Sequence, residues 1–159
     1  MLTTLVPARF DHPPEQLFDM LADIRNDPKW QPDVRSVEKV TEGDIGPGTR
    51  FRAAYKGLGD LNVQITEYER PSKLGFACTG SRVDMDVHFT FKPDGSGSEI
   101  GGTIDTKLKG FSKLMSPLLP SMMKKQMAQR PAQMQAGLDA LYGPRGGTAP
   151  SPASGDAPV

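Results

Sequence analysis

The chain has one cysteine, two histidines, one tryptophan and no excess of either charge. Each scarcity removes a class of function. Cys78 alone cannot close an internal disulfide. His12 falls in a loop, His88 on a polar strand face and Cys78 on an apolar one, so no three metal ligands converge and no nucleophile triad has a workable spacing. Lysine plus arginine equal aspartate plus glutamate at nineteen each, which leaves no global field toward nucleic acid and no basic excess interleaved with aromatics. There is no apolar run of about 18 residues and no charged-then-apolar leader, so a soluble, cytoplasmic protein is expected. No cofactor is called for either. The glycines of GDIGPG stand between two strands and not before a helix, which fails the context that phosphate cradling needs.

What is present is pattern. The length suits one domain over residues 1–142 with a core that needs no disulfide or metal. Residues 143–159, GPRGGTAPSPASGDAPV, have almost nothing to bury and are expected to form a disordered tail. Residues 2–10 read as a strand, with Pro7 implying an edge or a bulge. PPEQLFDMLAD then opens on tandem prolines and repeats Leu17, Phe18, Leu21 and Ile24 at helical spacing, while Asn26, Asp27 and Pro28 are expected to end the helix.

From about residue 34 to 108 the period becomes two. Six segments, separated by GDIGPG, KGLGD, RPS, GSR and PDGSG, predict an antiparallel meander. Pairing about Gly80-Ser81 sets Cys78, Phe76 and Leu74 opposite Val83, Met85 and Val87. Pairing about PDGSG sets Phe91, Phe89, Val87 and Met85 opposite Ile100, Gly102, Ile104 and Thr106. A turn at Leu58-Gly59 sets Tyr55, Ala53 and Phe51 opposite Leu61, Val63 and Ile65. Apolar residues share one face throughout, so the sheet has one oily side and one wet side. Val34, Val37 and Val40 recur every third residue and predict a bulge. Residues 111–142 remain to cover the oily face. Their apolar stripe changes line between Met122 and Met123, so a break is expected, with Pro117, Pro120 and Pro131 as causes and Gly143 as the C-cap.

A strand, a pair of short helices, an antiparallel meander and a long last helix, together with PPEQLFDMLAD, the Trp30-x-Pro32 motif, VRSVE, GPGTRF at 46–51 and ITEYERPSKLGF at 65–76, resemble the START-like superfamily. The likeness is to the polyketide cyclase/dehydrase-type proteins, also called SRPBCC, related to the Bet v 1-like helix-grip proteins. It implies an α+β helix-grip fold: about seven strands curved around a long C-terminal helix, with an apolar tunnel between them. It also implies a small hydrophobic ligand such as a lipid, polyketide or quinone, or cyclisation chemistry in the same cavity.

On that basis the expected lining is Phe51, Tyr55, Val63, Ile65, Phe76, Met85, Val87, Phe89 and Phe91 from the sheet. Met115, Leu118, Met122 and Met123 join them from the helix region, where flexible thioethers adapt to irregular ligands. Tyr55, Thr106 and Cys78 are the polar groups expected inward, with Glu67 near a strand end. A cyclase needs an acid or base, and Tyr55 with Glu67 is the candidate catalytic pair. Arg82 is a candidate for a ligand carboxylate at the mouth. Trp30, held between Pro28 and Pro32, is either a plug closing the core or a cavity wall. Lys107, Lys109, Lys113, Lys124, Lys125 and Arg130 surround FSKLMSPLLPSMM with only Asp105 opposing them, which suits either a solvated helix face or transient contact with an anionic membrane.

Overall fold

The period-two segments form one antiparallel sheet, as seen in a computed structural model that describes residues 1–144. Its strands are β1 (Leu2–Thr4), β2 (Ala8–Phe10), β3 (Val34–Lys39), β4 (Arg50–Tyr55), β5 (Gly59–Glu69), β6 (Lys73–Gly80), β7 (Val83–Asp94) and β8 (Gly97–Leu108). They lie in the order β1-β8-β7-β6-β5-β4-β3, with β2 sharing the β8 edge with β1. The single first strand expected over residues 2–10 is thus two: the Leu5 N–H still bonds the Gly102 carbonyl at 2.9 Å, and the ladder is interrupted before Ala8. Proline has no N–H to give it. The helix-grip order is completed by α1 (Pro14–Ala22), a 3-10 helix at Ile24–Lys29, a second 3-10 helix at Gly110–Leu118 and α2 (Leu119–Tyr142).

The β7–β8 hairpin has the expected register, including Phe91 opposite Ile100 and Met85 opposite Thr106. Two others are shifted by two residues. Cys78, Phe76 and Leu74 face Met85, Val87 and Phe89, and Phe51, Ala53 and Tyr55 face Val63, Leu61 and Gly59. In the first, the Lys109 ammonium bonds the Gly80 carbonyl at 2.7 Å and the Asp84 carboxylate at 3.1 Å, holding a wider turn. In the second, positive φ at Gly57 and Gly59 allows a three-residue link. A shift of two returns every side chain to the same face, so the oily side survives both. The predicted bulge in β3 lies between Val34 and Ser36, and Ser36 and Glu38 point to solvent.

α1 buries Leu17, Phe18 and Leu21 against one end of the concave face, where Phe18 meets Tyr68 and Phe91 edge-on at ring distances of 5.0 and 5.5 Å. Outside, Arg70 clasps Asp19 with two bonds of 2.8 and 2.9 Å, tying the β5–β6 corner to the helix. Asn26, Asp27 and Pro28 do not end the helical region as expected. α1 stops at Ala22, and the Asp23 carboxylate accepts the Arg25 N–H to start the 3-10 helix that contains all three. The tighter helix tolerates Pro28 because few intrahelical bonds are lost.

The break in the last helical segment falls between Leu118 and Leu119, with Pro117 inside the 3-10 piece, Pro120 in the first turn of α2 and Gly143 as C-cap. α2 is fastened near its C-terminal end. Fully buried His12 bonds the Gly143 carbonyl through Nε2 at 2.9 Å and receives the Gln135 amide on Nδ1 at 3.3 Å. One turn away, Gly137 lies on Trp30: a Cβ there would stand 2.7 Å from the Trp30 Cβ and 3.2 Å from the Met20 sulfur. The expected tail beyond Pro144 lies outside the described residues. Gly137→Ala is expected to push α2 off Trp30 and cost about 1–3 kcal/mol, measurable by urea unfolding with Trp30 emission as reporter; unchanged stability would mean that the helix shifts freely.

Candidate ligand site

Apolar side chains are left incompletely covered on two parts of the fold, the concave face and the last helical segment. On the concave face Phe51, Val63, Ile65, Phe76 and Val87 are buried, while Met85, Phe89, Ile104 and Leu108 on β7 and β8 remain partly exposed. Opposite, no residue between 110 and 133 is buried, although Met115, Leu118, Met122, Met123 and Met127 lie there. Only Met134, Gly137 and Leu138 of α2 enter the core. The helix is therefore packed at its anchored end and open along its first half. Thr106, buried on the concave face beside Met85, has a hydroxyl with no partner among the described residues.

At the anchored end the lining becomes polar. The Asp27 carboxyl, 4 % exposed, accepts the Tyr55 hydroxyl at 3.3 Å. Burial pushes its pKa up to about 7; Tyr55's hydrogen bond and the charge of Arg130 pull the other way without cancelling that. The same burial, with the Asp27 charge beside it, raises the Tyr55 phenol, and burial pushes the Cys78 thiol up to about 12. Tyr55 is therefore a donor and Cys78 an inert neighbour. Arg130 of α2 stands 6.0 Å from the centre of the Trp30 ring and 3.9 Å from the Asp33 carboxylate. The buried Trp30 N–H lies near the Asp27 carboxyl but in no good hydrogen-bond geometry. Trp30 thus packs on α2 through its Cβ and turns its ring edge to the polar cluster.

The remaining candidates fall elsewhere. A bulge between Ile65 and Glu67 reverses the phase of β5, so Glu67 joins His88 on the convex face at 3.7 Å instead of meeting Tyr55. Arg82 donates to the Gly57 carbonyl at 3.0 Å and links two turns. Phe91 packs under α1, away from the open part. A hollow of about 250 Å³ lies on the outer side of β3–β5, walled by the exposed Arg52–Glu38 pair, and is separate from the groove. Among the described residues no three His, Cys, Asp or Glu side chains gather where they could hold a metal ion.

The family model described as "polyketide cyclase / dehydrase and lipid transport" matches residues 3–141. The chain belongs to this family. No curated protein matches it in sequence. Among solved structures, a Thermus thermophilus protein aligns with a TM-score of 0.72 at 18% identity, over 89% of this chain and 99% of that one. The Zhui aromatase/cyclase of a Streptomyces species gives 0.70 at 12%, over 87% and 94%. A START superfamily protein from Mycobacterium smegmatis gives 0.60 at 12%, over 81% and 96%. At such identities these likenesses establish the fold, and membership of the cyclase/dehydrase and lipid transport family supports a ligand-binding or cyclase role.

This member of the polyketide cyclase/dehydrase family carries one functional candidate that its sequence hid: Asp27. In NDPKW it looks like a helix stop, and only the docking of the 3-10 helix against Tyr55 buries it. Its folded pKa lies above the ordinary 3.8, so the folded chain keeps a proton that the unfolded chain releases as pH rises from about 4 to about 7. Stability from this group is full below pH ~4 and is lost through pH ~7, a difference on the order of 4 kcal/mol. Asp27→Asn is expected to gain in melting temperature relative to the native chain between about pH 5 and about pH 8. Parallel melting curves at both pH values would show the carboxyl to be ionised throughout.

Proposed function

We propose that the protein binds a small hydrophobic molecule in the groove between the concave face and the first half of α2. The carrying observation is the pair of unfilled surfaces: partly exposed Met85, Phe89, Ile104 and Leu108 opposite an α2 that buries nothing before Met134. Apolar surface left open on both sides of a groove gains roughly 25 cal/mol for each Å² covered by an apolar guest, and methionines adapt to its shape. The Asp27–Tyr55–Arg130 cluster supports a ligand with one polar end, seated toward Trp30. Native mass spectrometry of the purified protein is expected to show a retained apolar molecule. Met85→Trp, which fills the groove, is expected to weaken binding of the apolar probe 1-anilinonaphthalene-8-sulfonate about tenfold, whereas Thr90→Trp on the convex face leaves it unchanged. Equal affinity in both variants would remove the groove as the binding place.

A second reading, cyclase or dehydratase chemistry, has one observation in its favour. Asp27 at about 7 is near the value that suits a group exchanging protons at neutral pH, and Tyr55 donates beside it. Loss of catalysed deuterium exchange at the enolisable carbon of a bound β-diketone in both Asp27→Asn and Tyr55→Phe would favour it. Unchanged exchange in both would leave the carrier reading alone.

A further inference from the structure

The 3-10 helix Gly110–Leu118 carries two apolar rows, and the groove accounts for only one. With three residues per turn, side chains three apart stand above one another, so Ser112, Met115 and Leu118 form one row and Phe111, Leu114 and Pro117 another. Ser112 is half-buried, and Met115 is less exposed than Phe111 or Leu114 of the other row. Phe111 is 92% exposed and Leu114 78%. A molecule in the groove would not cover them. With Val6 they are the three most exposed large apolar residues of the described chain, and both stand on a tip that follows β8 and adjoins the β6–β7 turn, where the Lys109 N–H bonds the Arg82 carbonyl.

Along the chain on either side of this tip the charge is one-sided. Between Asp105 and Asp139 stand Lys107, Lys109, Lys113, Lys124, Lys125 and Arg130 with no acid among them, so the rest of a neutral chain is correspondingly acidic. Lys109 is engaged by Asp84 and Arg130 lies beside Asp33. Lys107, Lys113, Lys124 and Lys125 are exposed and appear in no ion pair among the described residues. We propose that the outer row Phe111–Leu114, ringed by these lysines, docks the open end of the groove on an anionic lipid surface. The Phe111 ring and the Leu114 side chain enter the headgroup boundary while the lysine stems reach up to lipid phosphates. A second copy is the poorer occupant, because patch-to-patch contact would bring the same four lysines together from both sides. No helix of the described residues is long and apolar enough to cross a membrane, so the contact is at the surface.

The test is flotation of the full chain with phosphatidylcholine vesicles that contain or lack phosphatidylglycerol, without any cargo. Binding is expected only to the anionic vesicles and is expected to fall with added salt, since surface attraction decays within about 10 Å at 0.1 M. Each of Lys113→Glu and Lys125→Glu should lower the partition by at least about fivefold, and Phe111→Ser by about tenfold or more. Lys92→Glu on the far β7–β8 hairpin should leave it unchanged. All four positions are exposed, so the variants keep the fold, checked by their melting temperatures. Equal binding to neutral vesicles, no binding at low salt, or an unaffected Phe111→Ser would overturn the proposal. A concentration-dependent dimer dissolved by Phe111→Ser, with no vesicle binding, would overturn it in favour of a second copy. None of these outcomes bears on whether the groove holds a ligand.

Discussion

α2 is held at one end. His12 grips Gly143 and Gln135, and Gly137 lets the helix backbone lie directly on Trp30, so the last turns are locked to the core. None of the residues between 110 and 133 is buried, and Arg130, beside Trp30 and Asp33, is tied to the core side only through its guanidinium. The groove proposed for a ligand, with the polar cluster toward the anchored end and the exposed tip toward the other, rests on that asymmetry. Had a side chain stood at 137, α2 would have been lifted from Trp30, and Arg130 would no longer reach the ring.

The two ends of the groove differ in chemistry for physical reasons. At the anchored end, packing excludes water, and exclusion of water is what raises the Asp27 carboxyl and keeps the Tyr55 phenol protonated. A neutral carboxyl and a neutral phenol are donors to an oxygen-bearing ligand; ionised, the carboxyl would repel one. At the open end the lysines stand exposed to water, and apolar residues are displayed instead of hidden. The proposed guest, oily along its length and polar at its tip, matches this gradient.

Much of this was legible in residue order. The alternation of the six sheet segments, the punctuating glycines and prolines, the break before α2 and the cap at Gly143 were all readable because each depends on near neighbours. Faces were readable even where register was not: a two-residue slip at Gly80 and at Gly57 moved every partner but no side chain from its side. Phase was lost where a bulge intervened, and Glu67 crossed to the convex face for that reason. The helix-stop expected at Asn26–Pro28 failed because a 3-10 turn accepts a proline that an α-helix would refuse.

Local sequence therefore determined the oily face, the order of elements and the concentration of positive charge in the last helical segment, since periodicity and composition act over a few residues. Tertiary structure alone decided that Asp27, twenty-eight positions from Tyr55, shares a hydrogen bond with it. It also decided that Trp30 lies under α2 and that α2 buries one half and leaves the other open. Those outcomes depend on which distant surfaces exclude water from one another, and no window of neighbouring residues contains that information.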